Sequence, residues 1–155
     1  MANDPLEPLD RRILAALSRD GRRPYRDIAR ELKVSEGTVR QRVSRLVERG
    51  LIRISAVGSP LHLGFEAVAL VLIQVRPGTI DEVAKKLAEF PHVRFVGTSF
   101  GSADIVIQTI HATMQDLYNF VSTELPEIAG SIIRTETFQL NNVLKSSWTW
   151  DDWFH

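Results

Sequence analysis

YRDIARELKVSEGTVRQRVSRLVERG, residues 25–50, decides how the front of the chain folds. Tyr25, Ile28, Ala29 and Leu32 recur at helical spacing behind Pro24, a residue suited to a first helical turn. Only Lys33-Val34 follows before Ser35, whose hydroxyl can cap a second helix, with Val39, Val43, Leu46 and Val47 as its apolar stripe and Gly50 as its stop. Two short amphipathic helices on a tight turn read as helix-turn-helix, the second being the recognition helix. At about 100° per residue the apolar stripe faces the core. Gly37, Gln41, Ser44, Arg45 and Glu48 then lie on the opposite side, and Arg42 and Arg49 flank the stripe.

Upstream, Leu9, Ile13, Leu14 and Leu17 give one more helix behind Pro8, ended by Asp20-Gly21. Downstream, Leu51-Ile52-Arg53-Ile54 reads as a short strand, the start of a wing or a connection to the next domain. Charge supports an anionic partner for this front half. Residues 1–54 hold 13 Lys and Arg against 8 Asp and Glu, a balance of +5, and residues 55–155 hold 6 against 11, a balance of −5. All but one of the 13 cations are Arg, whose planar fork suits phosphates and guanine edges. The small residues Ser35, Gly37 and Thr38 at the recognition-helix start permit close approach to a backbone phosphate. Gln41 and Arg45, one turn apart, are the candidates for reading base edges.

From Ala67 the pattern changes. The β-branched run Ala67 to Val75 stops at Pro77-Gly78, and Ile80, Val83, Ala84, Leu87 and Phe90 then keep helical spacing up to Pro91. Val93–Phe100 and Asp104–His111 read as strands joined through Gly101-Ser102. Met114, Leu117, Tyr118, Val121 and Leu125 mark a helix before Pro126, and Ile132–Leu140 a last strand. Strand, helix, strand, strand, helix, strand is the order of a ferredoxin-like βαββαβ domain, with both helices on one sheet face. Since Val68, Leu70 and Leu72 alternate with Val71, Ile73 and Val75, the other face is apolar too and is expected to bury against another subunit. The fold class is therefore α+β: a winged helix-turn-helix over 1–54, a linker over 55–66 and a ferredoxin-like domain over 67–146. A Trp-rich tail, 147–155, is expected to dock on its own domain or to cover a groove between dimers.

Several function classes drop out. With 155 residues a large multidomain enzyme is excluded, and 44% hydrophobic with 25% charged residues excludes a wholly disordered or fibrous chain. Zero cysteines remove disulfides, thiolate metal sites and thiol nucleophiles. The apolar run 67–75 is far short of the roughly 20 residues a membrane helix needs, and no secretory signal opens the chain, so a cytoplasmic, nucleoid-associated location is expected. His62, His92, His111 and His155 are widely separated and expected at the surface or half-buried, with no metal role. An acid–base pair of Asp104 and His111 is ruled out within one chain. Seven residues apart on one strand, they lie on opposite faces and roughly 20 Å from each other.

In order and spacing the sequence resembles the Lrp/AsnC (leucine-responsive regulator and asparagine-synthetase activator) family of transcription factors. The front half carries this in Leu9-Asp10-x-x-Ile13-Leu14, Asp20-Gly21-Arg22, Val34-Ser35-x-x-Thr38-Val39-x-x-Arg42-Val43-x-x-Leu46 and Gly50-Leu51-Ile52. The rear half carries it in Leu63-Gly64, Pro91-x-Val93, Gly101-x-x-Asp104 and Thr135-x-Thr137 before Lys145. The resemblance implies a regulator, not an enzyme. It binds double-stranded DNA as a homodimer that assembles into tetramers or octamers, without a cofactor or metal but with an amino acid or related small metabolite as effector. On that reading Arg22, Ser35, Gly37, Thr38, Arg40, Gln41, Arg42 and Arg45 serve DNA. Ser99, Gly101, Ser102, Ala103, Asp104, Thr135 and Thr137 serve the effector, although Gly101 and Asp104 equally suit a plain turn and the threonines a strand edge. Ala103 stands where the family usually has an aromatic, which alters the effector or leaves the site vacant. Two rivals remain open: a nucleoid-compacting protein with little sequence preference, and a small-molecule sensor acting through protein contacts.

Overall fold

The computed structural model describes residues 6–128 and 130–144; the tryptophan-rich tail and Lys145 lie outside the described residues. The chain divides into two compact units between Val57 and Gly58.

The first unit contains three helices. α1 (Pro8–Arg19) starts on its proline, α2 (Tyr25–Leu32) follows Pro24, and α3 (Glu36–Glu48) is capped by Ser35, whose side chain accepts from the Thr38 N–H at 3.0 Å. The turn between α2 and α3 is closed by Lys33 in the left-handed region (φ 57°), while the Val34 N–H bonds to the Ala29 carbonyl. Ile13, Ala16, Leu17, Ile28, Ala29, Leu32, Val39 and Val43 form the core, with Leu46 also buried. Val47, expected in that stripe, is 45% exposed. It sits about 40° round the helix beyond Val43, outside the arc that two short helices can cover. The expected strand at Leu51–Ile54 does not form. No other strand exists among the described residues of this unit to pair with it, so only Ile52 packs on the helical core.

The second unit runs β1 (Ala67–Val75), α4 (Ile80–Ala88), β2 (Val93–Thr98), β3 (Ile105–His111), α5 (Met114–Asn119) and β4 (Ile132–Gln139). The sheet order is β2-β3-β1-β4 with every pair antiparallel, the ferredoxin-like arrangement. Val71, Ile73, Val75, Ile105 and Ile107 point to one side and pack with Val83, Leu87, Phe120 and Leu125 from the helical layer. On the opposite side Leu72 pairs with Val106 and Leu70 with Gln108, both leucines half-buried. Phe95 and Phe138 are exposed on the strands flanking them. Among the described residues no helix is long and apolar enough to cross a membrane.

The second helix of this unit does not stop before Pro126. α5 continues through a π-helical stretch, Phe120–Glu124, in which the Leu125 N–H reaches back to the Phe120 carbonyl, and then through a last turn, Leu125–Glu127. Proline in an α-helix collides with the carbonyl four residues earlier, and the wider π turn relieves that contact. It also delivers Phe120, fully buried, to a cluster of rings. Its centroid lies 4.5 Å from His92 and 5.3 Å from His111, and the two imidazoles are 4.6 Å apart. The Thr109 hydroxyl donates to the His92 carbonyl at 3.2 Å, which makes His111 Nε2, 2.7 Å away, the donor to the Thr109 oxygen. His92 Nε2 is buried without a partner.

Burial pushes the His92 pKa down against a smaller opposing pull from Glu124. Burial first and then His92 push His111 down, against Asp116. Both rings are therefore favoured neutral in the folded state, so the unfolded chain takes up protons first as pH falls. Stability is lost from about pH 6.5, the ordinary histidine value, downward. The melting temperature of the protein is expected to drop between pH 7 and 5.5, where carboxylates scarcely titrate, and His92→Gln to flatten that drop. A melting temperature constant over this range in calorimetry would refute the assignment.

Candidate functional site

The outward face of α3 is a shallow groove lined by Gly37, Arg40, Gln41, Ser44, Arg45 and Glu48. Five of those six are the face and base-reading candidates read from the sequence, and Arg40 was also assigned to DNA. Ser35 and Thr38 mark its start, their hydroxyls 2.8 Å apart, and a methyl placed on Gly37 would meet nothing nearer than Ser35 Oγ at 3.7 Å. The groove floor is low there because the residue is small, not because the backbone demands glycine. Gln41 is exposed at the centre of the face. Arg40 pairs with Glu36 one turn earlier at 2.7 Å and lies over the Tyr25 ring at 5.5 Å. Arg22 is exposed in the turn before α2, where its N–H donates to Asp20 Oδ1 at 2.9 Å.

Arg42 and Arg45 meet partners that periodicity does not announce. Asp10, only 2% exposed at the start of α1, accepts from Arg42 Nη1 at 3.1 Å through Oδ1 and from Arg45 Nη2 at 3.0 Å through Oδ2. The same two nitrogens reach the Glu7 carboxylate, at 2.8 and 3.3 Å. These contacts hold the Glu7 carboxyl below its usual range, Arg42 contributing most, and raise the Arg42 guanidinium, Glu7 contributing most. Arg45 therefore belongs both to the groove wall and to the bond between α1 and α3.

In the second unit the expected effector residues fall into two groups. Ser99, Gly101, Ser102, Ala103 and Asp104 form the β2–β3 connection: the Ser99 N–H bonds to the Asp104 carbonyl and Ser99 Oγ to the Ala103 carbonyl at 2.8 Å. Gly101 adopts φ 119°, a conformation that side chains disfavour. Asp104 Oδ2 accepts from the Val75 N–H at 2.9 Å, where β1 slips register against β4, and the Gln74 amide donates to the Ser102 carbonyl at 2.7 Å. One carboxylate oxygen thus stabilises the turn and the irregular strand end, and Ala103 is buried. Thr135 and Thr137 sit opposite Ile73 and Val71 on the edge strand β4. That is two strands from β3, about 10 Å, so one chain does not bring them to the loop.

His62 is exposed and His92 half-buried, as expected, and His155 lies outside the described residues; His111 is the departure. His111 is buried, and it lies beside His92 in the wall of a cavity of about 350 Å³ that Phe65, Asp116, Asn119 and Glu124 also line. The hairpin register carried this signal. Thr98 pairs with Ile105 and, past a slip between Val93 and Phe95, Val93 pairs with Thr109, so His92 just before β2 falls beside the end of β3 that carries His111. Among the described residues no group of three or more histidine, aspartate or glutamate side chains is placed to hold a metal.

Comparison with known proteins agrees with both units. Residues 6–53 match a family model described as winged helix-turn-helix DNA-binding, and residues 68–148 match the Lrp/AsnC ligand binding domain. The chain is 42% identical over 141 residues, 90% of its length and 95% of the relative's, to an uncharacterised HTH-type transcriptional regulator of Pyrococcus furiosus. It is 33% identical, over 90% of this chain and 90% of the other, to the HTH-type transcriptional regulator FL11 of the same organism. A transcriptional regulator of Neisseria meningitidis solved as a complex with L-methionine shares the fold. Its TM-score is 0.80 at 19% identity, covering 94% of this chain and 96% of that one. A helix-turn-helix with an exposed recognition face, joined to a four-stranded ligand-binding domain and matched along both parts to regulators rather than enzymes, places this chain in the Lrp/AsnC family of HTH-type transcriptional regulators.

Proposed function

We propose that the protein is a sequence-specific regulator whose homodimer sets two α3 helices into successive major grooves of double-stranded DNA, in the cytoplasm and on the nucleoid. The observation that carries this reading is the α3 groove. It is a capped helix start with small residues, a central exposed Gln41 and an arginine wall, the inventory needed for phosphate anchoring and base-edge readout. DNA binding is assigned to residues 1–54, a linker to 55–66, effector and dimer functions to 67–146, and a role in assembly to the tail 147–155. Ser35, Thr38, Arg22 and Arg40 would anchor phosphates; Gln41 would specify.

The dimer follows from the sheet face of Leu70, Leu72, Val106, Phe95 and Phe138, which the helices of its own unit leave uncovered and which is too apolar for a solvated surface. Tetramers or octamers would build on that pair. An amino acid or related small metabolite is the proposed effector, by analogy with the L-methionine held by the Neisseria regulator. Since the hairpin loop and the threonines of β4 are two strands apart in one chain, the effector site would be completed between copies.

Selection of genomic DNA by the purified protein, followed by titration of the best site at two salt concentrations with and without an amino-acid mixture, tests the reading. Half-sites about one helical turn apart support it. Uniform, steeply salt-dependent binding would transfer the protein to DNA compaction, and weak binding throughout to a sensor acting through protein contacts. Gln41→Ala is expected to cost about 1–3 kcal/mol on the selected site and little on random DNA; equal losses on both would reduce Gln41 to positioning. Leu72→Glu is expected to shift the molar mass in light scattering to the monomer, and an unchanged assembly would remove the sheet face from the interface.

A further inference from the structure

The Arg42–Arg45 pair has two carboxylates on it, and the two differ in kind. Asp10 is buried, and each of its oxygens binds one guanidinium. It is fixed between α1 and α3 and cannot be exchanged for a ligand without opening the unit. Glu7 is about half exposed (51%) and precedes the first residue of α1. Its backbone carbonyl is held by the Arg11 N–H at 3.1 Å, but its side chain caps nothing, and among the described residues it pairs with the two arginines. One Glu7 oxygen lies 2.8 Å from Arg42 Nη1 and the other 3.3 Å from Arg45 Nη2. A single exposed anionic group bridging two guanidinium groups through two oxygens is also how a phosphodiester, with its two non-bridging oxygens, sits on paired arginines.

The charge count points the same way. Two arginines against Asp10 leave one positive charge, which Glu7 cancels. With Glu7 swung away, the residual charge stands on the wall of the α3 groove that also holds Gly37 and Gln41. We propose that Arg42 and Arg45 form a binding site for one DNA backbone phosphate, and that Glu7 occupies this site in the free protein and is displaced when DNA binds. The inference rests on the DNA-binding reading above and deepens it. Arg45, expected from the sequence to read a base, becomes a phosphate anchor held in place by Asp10, and Gln41 is left as the reader on that face. Glu7 then acts as a competitor inside the molecule. It lowers affinity for every DNA sequence alike, because phosphates carry no sequence information. It also softens the salt dependence, because the released carboxylate regains a cation as the phosphate loses one.

The test compares wild type with Glu7→Gln and Glu7→Ala in titrations of the selected duplex and of a random duplex across a series of salt concentrations. Glu7 is exposed, and thermal melting of each variant checks that the fold is kept. Both variants are expected to bind both duplexes about three- to ten-fold tighter at low salt, the scale of two partly exposed ion pairs. The slope of log affinity against log salt is expected to steepen by about one. Wild-type binding with variants unchanged in affinity and slope overturns the displacement. Weaker binding by the variants overturns it as well, because Glu7 would then be positioning the arginines for DNA instead of competing with it. If neither wild type nor variants bind DNA, the DNA-binding reading itself falls, and this inference with it.

Discussion

A buried charge or polar group without a partner costs several kcal/mol, and much of this chain's geometry follows from how that cost is avoided. Asp10 accepts one arginine on each oxygen, which fixes the distance and register of α1 against α3 more narrowly than apolar packing alone. Asp104 engages the Val75 N–H at the point where β1 slips against β4, so the β2–β3 loop is tied to the centre of the sheet and not left to swing. Thr109 has one proton and two neighbours, and satisfying both dictates which nitrogen of His111 carries hydrogen. His92 Nε2 is the group left over. Burial is what favours the neutral ring there, against a smaller pull from Glu124.

How much of this was legible depends on the distance over which each signal acts. The three N-terminal helices, their caps and the βαββαβ order follow from local periodicity and breakers, because hydrophobic spacing and Pro, Gly and Ser chemistry act within one or two turns. Val47 is exposed although it belongs to the stripe, because periodicity on one helix does not set how wide a surface its neighbours cover. The strand at Leu51–Ile54 failed for a related reason: a strand requires a partner, and β-propensity cannot supply one. Pro126 does not end the helix as expected, because the proline clash arises in α-helical geometry and a π turn of five residues evades it. The ion pairs from α1 to α3 join residues 32 to 38 apart, and no periodicity spans that range.

The candidate site was legible as a face and not as a set of roles. Periodicity separates Gly37, Gln41 and Ser44 from the buried stripe because that separation is angular. It cannot distinguish an arginine that faces solvent from one that holds a buried carboxylate: Arg45 lies opposite the stripe and Arg42 beside it, yet both reach Asp10. The effector residues show the opposite limit. The spacing of Gly101 and Asp104 suits a turn and a binding loop alike, and the carboxylate oxygen engaged at Val75 shows the turn.

The same distinction changes what the charge count means. A balance of +5 in the first 54 residues suggests a strongly attractive surface. Yet Arg42 and Arg45 share Asp10 and Glu7, Arg40 holds Glu36, Arg30 lies near Asp27, and Arg23 is paired with Glu31. Those five carboxylates are already subtracted in the +5, so the net charge stands, and what the pairs change is its distribution, because a paired guanidinium is felt little beyond its partner. Non-specific attraction depends on the field, whereas base and phosphate contacts depend on donors already in position. Because phosphates carry no sequence information, carboxylates held on the arginines lower specific and non-specific affinity together. The ratio between the two, which a regulator searching a genome needs and a compacting protein can do without, then depends on contacts to base edges and not on the arginine count.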